Sequence, residues 1–139
     1  MIYAVIDTNV IISALLNRNS NPGKVVVAAL SGKIIPVLHN EIFREYKEVC
    51  SRKKFHFPED IVTRLLNRMI TRAHFLDRTD SEEIVPDAKD VVFYEVTLTA
   101  KDVFDEAYLI TGNGKHFPIK PFVVTPAEMV KILEDEERK

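Results

Sequence analysis

The sequence predicts an α/β fold: a doubly wound parallel sheet of about five strands in a three-layer α/β/α arrangement. Short apolar runs of strand length alternate with helix-patterned segments, an order that favours parallel strands joined by crossover helices. The 139 residues, 46% hydrophobic and 29% charged, suit one domain, taken as 1–139, with enough apolar material for a core. No internal repeat, low-complexity tract or linker breaks the alternation.

Ile2 to Ile6 is an apolar run that ends at Asp7, as a buried strand would. Val10 to Leu16 continues apolar, and Asn17 to Gly23 reads as a polar loop. Lys24 to Leu30 reads as a helix stopped by Ser31-Gly32. Ile34 to Leu38 is a second strand, which Pro36 places in an irregular or outer position. Asn40 is a candidate cap for a helix reaching Arg52, and Pro58 a candidate first residue for one reaching Arg72. Phe75-Leu76 is a short strand, Asp87 to Ala100 a helix, Tyr108 to Thr111 and Phe122 to Thr125 strands. Pro126 opens the last helix, which fades into a charged tail.

Charge and cysteine content narrow the function classes. With 19 basic and 21 acidic residues the net charge is -2, so no global basic footprint announces a nucleic-acid partner. An RNA substrate would need local basic clusters and a cation that inverts the sign of an acidic pocket. Cys50 is the single cysteine, which excludes an internal disulfide and a multi-cysteine zinc site. Met1 runs into an apolar strand without a basic n-region, and no apolar run reaches membrane-span length; the expectation is a cytoplasmic protein with no membrane contact.

In parallel α/β sheets, ligands bind beyond the carboxyl ends of the strands, so the residues just after each strand carry the interest. Asp7 follows the first strand directly; position alone fits a helix cap and a catalytic acid equally. Three acids lie on the helix after the second strand, whose apolar stripe is Ile42, Tyr46, Val49 and Cys50. At about 100° per residue, Glu45 lies roughly 85° from the stripe's centre, Glu41 about 125° and Glu48 about 145°. Glu45 therefore edges the buried face and the other two look solvated. Asp87 and Asp90 precede Val91-Val92-Phe93-Tyr94 and fit a capping-box-like start. The helix they open is apolar nearly all round, which implies cover on both sides. Thr111-Gly112-Asn113-Gly114-Lys115 follows another strand and needs no role beyond a turn. Jointly, Asp7, Glu45 and Asp90 fall where a parallel sheet would gather them. Clustered carboxylates need a cation, oxygen ligands select Mg²⁺ or Mn²⁺, and such a site suits phosphodiester hydrolysis.

These segments resemble the PIN-domain family over nearly the whole chain. Val5-Ile6-Asp7-Thr8-Asn9-Val10-Ile11-Ile12-Ser13 is similar to its opening DTNVLIS motif, and Asn40 to Tyr46 to its second segment, whose acid falls on Glu45. Pro86-Asp87-Ala88-Lys89-Asp90-Val91-Val92-Phe93 resembles the DPxDxxF segment, whose metal-binding acid falls on Asp90, and Tyr108 to Asn113 resembles the segment usually written TGD. The resemblance implies a five-stranded parallel sheet between helices, Mg²⁺ or Mn²⁺ as cofactor, and RNA hydrolysis. It implies Asp7, Glu45 and Asp90 as catalytic metal ligands, Asn113 as a further ligand, and Asn9, Ser13 and Thr111 as neutral orienting groups. Many such proteins are VapC-like toxins of toxin–antitoxin pairs, often homodimers silenced by a small antitoxin protein. One departure matters: the family often has Asp at the positions of Asn113 and Lys115, so at most weak occupancy of a second metal site is expected.

Lys115 and His116, beside the proposed site, are candidates for holding substrate phosphate, with His116 a lesser candidate for general acid. Arg64, Arg68 and Arg72 form one stripe along their helix, opposite Ile61, Leu65 or Leu66, Met69 and Ile70; a solvated face explains it more simply than phosphate tracking. Tyr3 and Phe104 read as core or interface residues. Two other functions compete with a ribonuclease. One is a PIN-like binding module without activity, motivated by Asn113 and Lys115. The other is a phosphoacceptor signalling domain, for which Asp77 is the only candidate acceptor.

Overall fold

The computed structural model describes all 139 residues. Five strands form one sheet in the order β3-β2-β1-β4-β5, every neighbouring pair parallel. They are β1 (Ile2–Ile6), β2 (Ile34–Leu38), β3 (His74–Phe75), β4 (Ala107–Ile110) and β5 (Val123–Val124). Six helices flank them: α1 (Thr8–Leu16), α2 (Asn21–Ser31), α3 (Asn40–Cys50), α4 (Glu59–Arg72), α5 (Val91–Val103) and α6 (Pro126–Glu137). This is the expected three-layer α/β/α fold. The chain winds outward from β1 through β2 to β3, then returns to β4 on the other side of β1. Strand order reverses there, so the crevice between the ends of β1 and β4 is the switch point where such folds bind ligands.

Local chemistry accounts for most boundaries and for the departures from expectation. The second helix begins at Asn21, earlier than Lys24, because the Ser20 hydroxyl accepts from the Gly23 amide at 3.1 Å and Pro22 sits in the first turn. A Cβ at Gly23 would fall 2.0 Å from the Arg18 carbonyl oxygen, so only glycine lets the preceding turn fold back so closely. Gly32, at φ +90°, ends the helix as its sequence position suggested. His39, not Asn40, caps α3: its Nδ1 accepts from the Glu41 amide at 3.0 Å. Pro58 stands one place before α4 instead of opening it. The expected helix from Asp87 resolves into a single 3-10 turn, Ala88–Asp90, followed by α5.

Pro36 corrects the placement of its strand, since β2 is interior, between β1 and β3. The Leu38 carbonyl faces β3, where it accepts from the Leu76 amide at 2.9 Å. Two residues earlier, Pro36 turns its nitrogen to the same side, before β3 begins its pairing at Val37 and His74. The missing N–H therefore costs the ladder nothing.

The core joins 32 buried apolar residues, with β1, β2 and β4 almost fully enclosed. Helix α5 packs on β1, β2 and β4, and Val92 to Thr97 are all buried. Its outer side is covered by the segment after β3: Thr79 bonds the Glu95 carbonyl at 3.2 Å and the Thr99 hydroxyl at 2.7 Å, and Tyr94 bonds Glu83. That segment explains why α5 is apolar nearly all round. On α4 the buried stripe is Val62, Leu66 and Met69, while Ile61 and Ile70 are exposed, so the expected apolar face is rotated. Tyr3 stacks on Phe104 with ring centroids 3.6 Å apart, and His74 meets both edge-on. No helix is long and apolar enough to cross a membrane.

Candidate active site

Asp7 occupies the cap position of α1 but makes no side-chain cap bond. Its carboxylate turns instead across the switch point, where Oδ2 accepts from the Thr111 hydroxyl at 2.8 Å. The backbones are locked in the same place, since the Asp7 amide donates to the Ile110 carbonyl at 2.9 Å. Asp7 is only 6% exposed and no cation touches it, a costly position for a charge. Burial, assisted by the neighbouring charges of Asp90 and Glu45, pushes its carboxyl from 3.8 up to about 6.

Glu45 is half-buried on α3, at the edge of a stripe that buries Ile42, Tyr46 and Cys50, while Glu41 and Glu48 are exposed. The angular reading of the helix thus separates the three acids correctly. The Thr8 hydroxyl donates to Glu45 Oε2, so the residue beside Asp7 reaches the second acid. Tyr46, one position further, donates its buried hydroxyl to the Ile6 carbonyl and fastens α3 to the end of β1. The Glu45 carboxyl is raised by burial and by the charge of Asp90, against the opposing effects of Thr8 and Lys89.

The two acids before α5 divide their roles. Asp87 does the capping, its Oδ1 accepting from the Lys89 amide at 2.9 Å. Asp90 makes no cap bond, its side chain is 17% exposed, and its Oδ2 lies 3.6 Å from His116 Nδ1. Its carboxyl too is raised, by burial and by the charge of Asp87, with His116 opposing.

The neutral groups form a linked set around the end of β4. The Thr111 hydroxyl, while donating to Asp7, accepts from the Asn113 amide at 3.0 Å. Asn9 Oδ1 accepts from the Gly112 amide at 3.3 Å. Asn9, Ser13 and Asn113 line a cleft of about 170 Å³ with Val10, Gly112 and the prolines 22 and 126. Asn113 and Lys115 are exposed; Lys115 forms no ion pair and lies two residues beyond the cleft-lining Asn113. Thr8 and Lys89 lay inside the quoted motifs but received no role from sequence. A hydroxyl next to a strand-end acid was the available signal for Thr8.

The donors are all oxygens, three of them carboxylates held above their ordinary pKa, a combination that fits a hard divalent cation. As they stand, no three His, Cys, Asp or Glu side chains form a group able to hold a metal ion. The three carboxylates nonetheless feel one another's charge: Asp90 and Glu45 raise Asp7, and Asp90 raises Glu45.

A parallel α/β domain with an acidic site at its strand switch point is the class that fold and site define. The PIN domain family matches residues 3–115, and the chain belongs to that family. PIN domains are generally nucleases that use divalent metals. An uncharacterized protein of Methanocaldococcus jannaschii is 29% identical over 115 residues, covering 81% of this chain and 71% of that protein. No solved structure matches the chain.

Proposed function

We propose that the protein is a Mg²⁺- or Mn²⁺-dependent ribonuclease that hydrolyses RNA phosphodiesters with metal-activated water. The observation that carries this reading is the Asp7 carboxylate at the switch point of the sheet, raised mainly by burial and further by Asp90 and Glu45, and unpaired with any cation. Asp7, Glu45 and Asp90 are the ligands, and Asn113 offers a neutral amide oxygen. When bound, the ion would neutralise the carboxylates, bind a phosphate oxygen and make water a better nucleophile. Thr111 and Thr8 fix the orientations of Asp7 and Glu45, while Asn9 and Ser13 shape the adjoining cleft. Lys115 and His116 meet the substrate phosphates. In the cell the protein acts in the cytoplasm as the toxin of a toxin–antitoxin pair, a homodimer restrained by a small antitoxin protein; this part rests on the resemblance of its motifs to those of toxin members of the family.

A second reading is an RNA-binding module without activity, favoured by the neutral Asn113, the cation at Lys115 and the lack of any three His, Cys, Asp or Glu side chains grouped to hold a metal ion. A phosphoacceptor domain is disfavoured, because Asp77 is exposed beyond the outermost strand, β3, two places from β1. RNA cleavage measured with Mn²⁺, with chelator and after Asp7→Asn separates the readings. A ribonuclease loses activity with chelator and drops at least ~100-fold on Asp7→Asn, since even outer partners of a metal site cost up to that much. Binding without cleavage across varied RNAs would establish the module. Cleavage indifferent to metal and to Asp7 would remove the chemical basis of the proposal.

A further inference from the structure

Arg78, to which the sequence assigned no role, lies in the irregular segment between β3 and α5. Its guanidinium bridges two helices. Nε donates to Glu95 Oε1 of α5 at 2.7 Å, with Nη2 2.6 Å from the same oxygen, and Nη1 donates to both carboxylate oxygens of Glu41 on α3 at 2.9 and 3.1 Å. The side chain of Glu95 is 10% exposed, that of Arg78 32% and that of Glu41 45%, so the bridge runs from the interior to the surface.

The bridged positions are close in sequence to the proposed ligands. Glu41 precedes Glu45 by one helical turn, and Glu95 follows Asp90 by five residues on the helix that Asp90 opens. Glu45 and Asp90 are like charges on these ends of α3 and α5, and the charge of Asp90 adds to the burial that raises the Glu45 carboxyl. A planar guanidinium with donors on both edges is suited to holding two carboxylate-bearing helices at a fixed separation.

We propose that Arg78 is a positioning residue, a clamp between Glu41 and Glu95 that ties α3 to α5 and limits how far apart Glu45 and Asp90 can stand, so that a divalent ion has less distance to close. This rests on the ribonuclease reading, in which those acids are ligands. Arg78 touches neither ion nor substrate; it acts through the two helices.

Mn²⁺ affinity, measured calorimetrically on the full chain in about 0.5 M salt, tests the clamp, because charge effects beyond roughly 4 Å are then screened. Glu41→Gln weakens the surface end of the bridge and leaves the buried Arg78–Glu95 pair intact. It is expected to bind Mn²⁺ roughly tenfold more weakly with an unchanged melting temperature, in line with the loss of an outer partner. Arg78→Lys, which keeps the charge but not the fork, is expected to fall between Glu41→Gln and wild type. Glu48→Gln is the control: it removes a charge from the same helix, where Glu48 pairs only with Arg52, and should bind Mn²⁺ within about twofold of wild type. Wild-type affinity in both Glu41→Gln and Arg78→Lys would overturn the clamp, as would equal losses in Glu41→Gln and Glu48→Gln. A wild-type chain that binds no Mn²⁺ would overturn the ribonuclease reading and the clamp with it.

Discussion

Asp7 is the residue on which stability and function pull in opposite directions. Its carboxyl titrates near 6 in the folded chain against an ordinary 3.8, mainly because it is buried. The folded state therefore holds the proton more tightly than the unfolded state, and stability falls as pH rises from about 4 through 6. Above that range the ionised group costs the metal-free protein about 3 kcal/mol. The raised carboxyls of Glu45 and Asp90 act in the same direction. Asp7→Asn should thus stabilise the metal-free chain by nearly the full amount at pH 8 and by about half as much at pH 5, where the unfolded chain has lost the proton that folded Asp7 still holds. Urea denaturation in chelator at the two pH values reads the difference. An equal effect of the substitution at both would show that Asp7 is not held above its ordinary range.

At the scale of elements, the site depends on how α3 is fastened to the sheet. Tyr46 donates its hydroxyl to the Ile6 carbonyl, the last residue of β1 and the one before Asp7. One bond thus ties the helix that carries Glu45 to the strand that carries Asp7. Tyr46→Phe keeps the ring packed but leaves a buried carbonyl without that partner, at a cost of about 1–2 kcal/mol. Urea or thermal unfolding measures the loss, and a cost under about 0.3 kcal/mol would mean that the bond contributes nothing net. Pro36 shows the same dependence on context: a residue that argues for an edge position sits inside the sheet, because β3 begins its pairing one residue later.

For the whole molecule, ion binding and folding are coupled. A cation that binds only the folded state stabilises it by about 2.7 kcal/mol at 100 times its dissociation constant. For a chain of this length that corresponds to a rise in melting temperature of roughly 10 °C. Protons compete for the same carboxylates, so the rise with Mn²⁺ should be larger at pH 8 than at pH 5. Melting curves with and without Mn²⁺ at both values check this, and a shift that grows on acidification would place the ion elsewhere.

Taken alone, the sequence determined what short-range pattern encodes: the alternation of strands and helices, Asp7 at a strand end, and Glu45 at the margin of a buried stripe. These follow from periods of two and 3.6 residues, which are local properties of the backbone. Only the tertiary structure decided which acid before α5 caps and which faces the site, that Thr8 reaches Glu45 across 37 residues, and that Thr111 reaches Asp7 across 104. It also decided that Arg78 joins α3 to α5. Such contacts depend on strand order and on the path of an irregular segment, and neither leaves a periodic trace in the chain.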